Sequence, residues 1–176
     1  MNRSELRALL VGMNLTPRFA EEPLRGRMLG LLDAPADCFE RTSYAGHFTG
    51  SALVVSADGK SVLLHHHRKL DRWMQFGGHC EDDANILEVA HREALEESGI
   101  EGLKAVQETP FDLDIHEIPA RPATSEPAHF HYDIRFLFIA EPTAPPEGIR
   151  WVSLVEVAGL PDASLSRMAR KARATP

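Results

Sequence analysis

The chain has 176 residues, enough for one domain with a buried core and a small appendage. Its apolar and charged fractions, 43% and 26%, are typical of a globular protein, and no apolar run is long enough to cross a membrane. Residues 81–97 hold seven acids against one base, so they account for nearly all of the formal net charge of −7. Charge concentrated in this way disfavours binding to long nucleic acid. Charged residues interrupt the apolar patch of the first ten residues and no cleavage site follows, so we expect a cytoplasmic location.

Two amphipathic helices are predicted ahead of the first strand. Residues 3–13 have apolar side chains at helical spacing, with a stop at Asn14. A second helix follows, with Thr16 as its cap, Pro17 in its first turn and its end within residues 33–37. The predicted buried faces are Leu6, Leu9, Leu10 and Met13, then Leu24, Met28, Leu31 and Leu32. We assign residues 1–40 to an N-terminal helical extension, which either covers the main domain, residues 41–176, or mediates a homodimer.

Strands and helices follow one another in the rest of the chain. Residues 47–56 and 61–65 are strand-like and flank a turn, which predicts a hairpin. Further strands are predicted at 103–106, 111–118, 129–139 and 149–154, and a last helix at 164–173. In strand 129–139 the pattern places Phe130, Tyr132, Ile134, Phe136 and Phe138 inward and His129, His131, Asp133 and Arg135 outward. Strands mixed with long helices favour an α/β fold, a mixed sheet between helical layers.

Cys38 and Cys80 are far apart in the sequence, so we expect two free thiols and no disulfide. The sequence has neither a Gly-x-Ser-x-Gly elbow nor a Gly-x-x-x-x-Gly-Lys phosphate loop. Metal-assisted attack by water is the mechanism that remains.

Residues 77–100 begin with a glycine pair and continue into an acidic helix. Asn85 and Glu88 have the spacing of a capping box, so we expect the helix to begin there. Gly99 is placed to end it in the left-handed conformation. The apolar stripe between these ends consists of Ile86, Val89, Ala90 and Ala94, and it must face a core.

Glu93, Glu96 and Glu97 continue that stripe at positions i, i+3 and i+4. Like charges at this spacing repel, and the negative end of the helix dipole opposes the last two. A solvated acidic face is the simpler interpretation, but it would lie opposite the apolar stripe. A divalent cation such as Mg²⁺ converts three such carboxylates into a coordination shell. The pattern therefore predicts a metal site.

These residues resemble the Nudix hydrolases, whose signature is Gly, five residues, Glu, seven residues, then Arg-Glu-apolar-x-Glu-Glu-x-Gly-apolar. The matching positions are Gly78, Arg92, Glu93, Ala94, Glu96, Glu97, Gly99 and Ile100. Ala84 replaces the first Glu, which in the family supports the loop around the metal, and the candidates to stand in for it are Glu81, Asp82 and Asp83. The resemblance implies a Nudix-type α/β/α sandwich.

The resemblance also implies an activity. It is that of a pyrophosphohydrolase, dependent on Mg²⁺ or Mn²⁺, which cleaves a nucleoside diphosphate linked to another group. Glu93, Glu96 and Glu97 would hold the metal together with Gly78, and Arg92 would orient a carboxylate by a bidentate ion pair. Glu93 and Glu147 compete for the role of general base. The alternative is a Nudix-fold module that binds a nucleotide without hydrolysing it, for which Ala84 is the one hint.

Candidate substrate-binding residues lie on both sides of this stretch. Arg68 and Lys69 precede the glycine pair and either hold phosphate oxygens or are ordinary surface charges. His79 contacts the substrate or makes a loop hydrogen bond. His129, His131 and Asp133 share one strand face, where they line the substrate pocket or, with His116, form a two-histidine, one-carboxylate metal site.

Overall fold

The computed structural model describes residues 1–15, 19, 21–34 and 37–175. In this part of the chain the helices are α1 (Arg3–Gly12), α2 (Glu22–Asp33), α3 (Ile86–Ser98), α4 (Leu154–Ala158) and α5 (Ala163–Ala172). The strands are β1 (His47–Ser56), β2 (Ser61–His67), β3 (Arg72–Met74), β4 (Phe76–His79), β5 (Lys104–Ala105), β6 (Asp112–Ile118), β7 (His129–Ala140) and β8 (Ile149–Ser153). Every strand and helix predicted for the main domain is present within two residues of its predicted bounds. No helix in the described ranges has the length and apolar character that crossing a bilayer requires.

The sheet is built around β1, which has neighbours on both sides and is buried along its whole length. On one side it runs parallel to β7, in a register that extends from His47 opposite His131 to Ser56 opposite Ala140. On the other side it pairs antiparallel first with β4 and then with β2, as the predicted hairpin. β6 and β5 pair with the outer side of β7, and β3 and β8 pair with β2.

Alternate residues of β1 belong to two separate cores. Ala52 and Val54 pack in a cluster with α3 and the two N-terminal helices, whereas Leu53 and Val55 pack with α4 and α5. Successive side chains of a strand point to opposite faces, so the sheet carries a helical layer on each face. This confirms the predicted α/β/α sandwich with a mixed sheet.

The N-terminal helices bury the faces that their spacing predicts. Leu6, Leu10 and Met28 are fully buried, and they contact the same cluster as the inner side of α3. Thr16 and Pro17 lie outside the described residues, and α2 begins at Glu22 with a proline in its first turn. The division of the chain at residue 40 stays a prediction, and so does a homodimer.

The outward face predicted for β7 is wrong in part, because α5 covers the sheet where Arg135 of β7 lies opposite Asp112 of β6. Asp112, Asp133 and Arg135 are almost fully buried, whereas Phe130, which was predicted inward, is 38% exposed. Arg135 forms ion pairs with Asp112, Asp114 and Asp133 at 2.7–3.1 Å. From α5, Arg167 and Lys171 reach Asp112 at 2.8 and 3.1 Å. We call these six residues the arginine network.

Three elements were missed by the prediction: β3, β4 and α4. Each has at most five residues, which is too short to establish a period of 2 or 3.6. Cys38 and Cys80 are buried and free, as predicted.

Candidate active site

The glycine pair lies against the inner side of α3. A Cβ added at Gly78 would overlap the carboxylate of Glu93, so any side chain there would displace that carboxylate. Gly50, on the neighbouring strand, allows the same close contact at the other end of the helix, since a Cβ there would lie 2.9 Å from Ile86. Glycine at these points allows α3 to approach the sheet closely enough for its carboxylates to reach the backbone of β4.

Glu93 and Glu97 are brought together at this contact. The backbone N–H of Gly77 donates to Oε2 of Glu97 at 3.3 Å, and Oε1 of Glu97 lies 3.9 Å from Nδ1 of His65. Glu96 lies on the same helix face, and both Glu96 and Glu97 are exposed residues, with 33% of the Glu97 side chain accessible to solvent. We call Glu93, Glu96 and Glu97 the carboxylate cluster.

The surroundings of the carboxylate cluster oppose its negative charge. Burial raises the pKa of Glu97 to about 7; the N–H of Gly77 acts against burial, and the charges of Glu93 and Glu96 act with it. Burial also raises the pKa of Glu93, although the guanidinium of Arg92 acts in the other direction. Carboxylate oxygens that are gathered and partly desolvated are a donor set that a hard divalent cation prefers. The residues present therefore fit Mg²⁺ or Mn²⁺.

Arg92 lies beside this cluster. Its Nη2 is 3.5 Å from Oε1 of Glu93, a long contact through one nitrogen. The bidentate pairing stays a prediction.

The loop that carries Ala84 is held by a neighbouring acid. Oδ1 of Asp83 accepts the backbone N–H of Asn85 at 2.8 Å, and Ala84 packs on the core. The helix begins where predicted, but the side chain of Asn85 makes no cap hydrogen bond, so the predicted capping box is wrong. Of the candidates to stand in for the missing Glu, Asp83 makes the contact at the helix start. Gly99 closes the helix as predicted, with φ 62° and its N–H donating to the carbonyl of Leu95.

Arg68, Lys69 and Glu147 are exposed in loops near this end of the sheet. Arg68 and Lys69 lie in the turn that follows β2, the strand whose His65 contacts Glu97. Glu147 lies between Pro146, which reaches the Gly99 cap, and Gly148, whose carbonyl accepts the N–H of His66 at 2.8 Å. Their catalytic and substrate-binding roles stay predictions.

Histidine rings from four strands gather on the sheet. We call this set the histidine cluster: His47, His79, His116, His129 and His131. The rings of His47 and His131 are 4.7 Å apart between centroids, and that of His79 lies 5.4 and 5.2 Å from them. Burial, followed by the charges of neighbouring groups, lowers the pKa of His79 to about 4 and that of His131 to about 2. These two rings are therefore neutral at pH 7.

His47 was missed by the sequence analysis, because a single histidine at the start of a strand carries no signal of its partners. The pairing of β1 with β7, which places it opposite His131, is the information that was lacking. Asp133 points to the same region, but its oxygens accept hydrogen bonds from Thr49, Ser51 and Arg135. In this region the residues that converge as a three-ligand group are instead His47, His79 and His131.

Residues 47–172, more than half of the chain, match the family model described as NUDIX domain. No curated protein sequence matches the chain. The fold is similar to Ap4A hydrolase of C. elegans in a binary complex (18% identity over 72% of this chain and 95% of that one, TM-score 0.55). It is also similar to dihydroneopterin triphosphate pyrophosphohydrolase of E. coli (18% identity over 69% of this chain and 90% of that one, TM-score 0.55). A third similar structure is the NUDIX domain of Shewanella oneidensis NrtR complexed with ADP ribose (18% identity over 82% of this chain and 94% of that one, TM-score 0.52).

Proposed function

The chain belongs to the Nudix family of hydrolases acting on diphosphate bonds, and on that premise we propose that it is a Mg²⁺- or Mn²⁺-dependent pyrophosphohydrolase that cleaves a nucleoside diphosphate linked to another group. The observation that carries this proposal is the gathering of Glu93 and Glu97 on the glycine pair. Carboxylates in this position repel one another unless a cation is bound between them.

The carboxylate cluster would hold the ion, together with Gly78. When bound, the ion supplies neutralisation of diphosphate charge and acidification of water. Arg92 restrains Glu93 through their ion pair, and the N–H of Gly77 fixes the orientation of Glu97. Asp83 holds the loop that precedes α3, which is the support that Ala84 cannot give.

The phosphate chain of the substrate has cations within the same region. Arg68 and Lys69 are exposed in the turn between β2 and β3, where they are free to follow a ligand. Ap4A, dihydroneopterin triphosphate and ADP ribose, named for three similar structures, all carry linear phosphate chains. What the three compounds share is the phosphoric anhydride chain, and two of them, Ap4A and ADP ribose, carry it on a nucleoside, which supports a nucleoside linked through a diphosphate.

Glu93 and Glu147 both stay candidates for the general base. Glu93 touches the glycine pair, and Glu147 lies on the loop beside the Gly99 cap. A Glu147→Gln variant whose turnover falls by about 10²-fold or more, and whose residual rate loses the acidic limb of the pH–rate profile, would identify Glu147 as the base, whereas unchanged turnover and an unchanged profile would leave Glu93.

The substrate class is tested with a panel of nucleoside diphosphate sugars, dinucleoside polyphosphates and oxidised nucleoside triphosphates. Phosphate released after phosphatase treatment is measured with Mg²⁺, with Mn²⁺ and with a chelator. We expect turnover on at least one nucleoside diphosphate derivative, and we expect the chelator to abolish it. Undiminished turnover in the chelator, or turnover restricted to compounds without a nucleoside, would contradict the proposal.

A further inference from the structure

The histidine cluster lies on the sheet face opposite to α3. Gly78 faces α3 and its carboxylate cluster, and His79 is the next residue of the same strand. Successive residues of a strand face opposite ways, so His79 turns away from Glu93. It contacts His47 on β1 and His131 on β7 instead.

The geometry of three of these rings matches a metal site. The potential ligand nitrogens of His47, His79 and His131 all lie within 4.8 Å of one another. In a tetrahedral zinc site with bonds of about 2.0 Å, the ligand nitrogens are roughly 3.3 Å apart. Small rotations of the partly buried rings of His79 and His131 close this difference, whereas three strands of one sheet already fix the backbone positions.

Two buried nitrogens at this place lack a partner. Among the described residues, Nε2 of His47 and Nε2 of His129 are the buried side-chain atoms without a hydrogen bond. In both rings the other nitrogen, Nδ1, donates to a backbone carbonyl, that of Ser43 at 3.3 Å and that of Pro127 at 2.9 Å. A backbone carbonyl on one nitrogen is the usual support of a histidine that binds a metal through the other. Leaving such an atom buried without a partner otherwise costs free energy.

We propose that His47, His79 and His131 bind one divalent transition-metal ion, with Zn²⁺ as the ion whose preference for imidazole they match. This site is distinct from the carboxylate cluster, whose oxygen donors suit Mg²⁺. His129 lies against the same rings, at 5.0 Å from His47 and 5.3 Å from His131 between centroids. Oε1 of Glu126, 3.7 Å from Nε2 of His129, provides a carboxylate at the edge of the site.

Binding at this site would tie β1, β4 and β7 together beside the glycine pair. It also assigns His79 and His131 a task other than the substrate contact predicted from the sequence. The ion would hold the strand that carries Gly78 and would not enter the reaction.

The experiment is a Zn²⁺ titration of the untagged protein in competition with a chromophoric chelator, in excess Mg²⁺, which occupies the carboxylate cluster. Co²⁺ is used in parallel, because its visible absorption reports nitrogen ligands in tetrahedral geometry. The variants are His79→Gln and His131→Gln, whose side chains are only partly buried, so that folding, followed by circular dichroism, is preserved. We expect one Zn²⁺ per chain in the wild type and affinity weakened at least about 100-fold in each variant.

Two variants serve as controls. His66→Gln lies in the adjacent run of three histidines, which is the competing surface site, and Glu97→Gln removes a carboxylate from the other cluster. Both should bind Zn²⁺ as the wild type does. The proposal is overturned by a wild type that binds no Zn²⁺, by His79→Gln and His131→Gln binding it undiminished, or by loss of binding in His66→Gln or Glu97→Gln. None of these results depends on hydrolysis, so they leave the proposed function separately testable.

Discussion

Glu97 is the carboxylate whose surroundings oppose ionisation most strongly in the carboxylate cluster. Burial dominates, and the charges of Glu93 and Glu96 act in the same direction against the one N–H of Gly77. Both of its oxygens are also positioned by neighbours: Oε2 accepts the N–H of Gly77 on β4, and Oε1 is directed toward His65. We therefore expect Glu97 to contribute little to the fold and much to the binding of a cation.

Replacing Glu97 by Gln should therefore lower turnover on the order of 10²-fold or more, as removal of a principal charge-stabilising group does. The measurement is kcat and KM on the best substrate of the panel at saturating Mg²⁺. Glu88→Gln is the matched control, because Glu88 is exposed in the first turn of the same helix. The Glu88→Gln variant should keep wild-type rates. Full activity in Glu97→Gln would show that Glu97 is not part of the active site.

The same variant should behave unusually in stability. At pH 8 without metal, Glu97→Gln should be as stable as the wild type or more stable, because one of three repelling charges is gone. A ligand that binds only the folded state adds about 2.7 kcal/mol at a hundredfold excess over Kd, so Mg²⁺ should raise the Tm of the wild type and raise that of the variant less. Calorimetry with and without Mg²⁺ decides. A metal-free variant clearly less stable than the wild type, with an undiminished Mg²⁺ shift, would mean that Glu97 serves the fold.

At the scale of elements, the N-terminal extension is part of the inner core rather than a loose attachment. Leu10 of α1 is fully buried in the cluster that α3 and β1 share, and Val11, next to it, is 53% exposed. The first helix begins with the capping box of Asn2 and Glu5, so it has its own start signal.

Leu10→Ala should lower the free energy of unfolding by about 2–5 kcal/mol, the range for a buried leucine truncated to alanine. Val11→Ala should change it little, because its side chain is largely in water. Urea denaturation of the two variants makes the comparison.

Deletion of residues 1–34 should have a larger effect and cause aggregation. A deleted protein that stays dispersed, with unchanged mass and kinetics, would show that the extension is dispensable.

Local sequence features predicted most elements and the buried faces of the helices, but not which charged side chains the sheet buries. The apolar stripe and Gly99 located α3 to the residue, because both signals lie within the helix itself. The capping box of Asn85 and Glu88 failed in part because Asp83 accepts the backbone N–H of Asn85, the bond that Glu88 was expected to accept. The buried charges of β6 and β7 could not be foreseen, since their alternation is the same whether water or α5 covers that face. The histidine cluster depends on strand register, which a single sequence does not specify.

At the scale of the whole molecule, the arginine network joins elements that are distant in the chain. Lys171 of α5 contacts Asp112 of β6 and also Glu21, just before α2, so it links the C-terminal helix to the N-terminal extension. Arg135 is held on three sides by aspartates, which raise its pKa. Each charge in the network has several partners, so removal of one leaves the others buried and unbalanced.

Asp112→Asn should therefore lower stability at neutral pH by about 3–5 kcal/mol, the cost of breaking a buried pair. If that variant does not fold, Asp114→Asn, which is less buried, tests the same network with a smaller loss. Asp71→Asn, at an exposed position, is the control and should match the wild type.

The network should also determine how the protein responds to acid. Burial alone would raise the pKa of Asp114, but its hydrogen bond with His116 and the charges of Arg135 and Arg167 outweigh burial and hold the pKa well below its ordinary value of 3.8. The pKa of Asp112 is lowered in the same way by Arg167, Arg135 and Lys171. A carboxylate whose pKa is lower in the folded state binds fewer protons there than in the unfolded chain, so its stabilisation is complete above pH 3.8 and is lost as the pH falls further.

Urea denaturation between pH 6 and pH 2 should show a steep loss of stability below pH 3.8 in the wild type. Asp114→Asn should start lower and fall less over the same interval, because one of the titrating groups is gone. Parallel curves for the two proteins would mean that other carboxylates cause the acid unfolding and that the arginine network does not contribute to the pH dependence of stability.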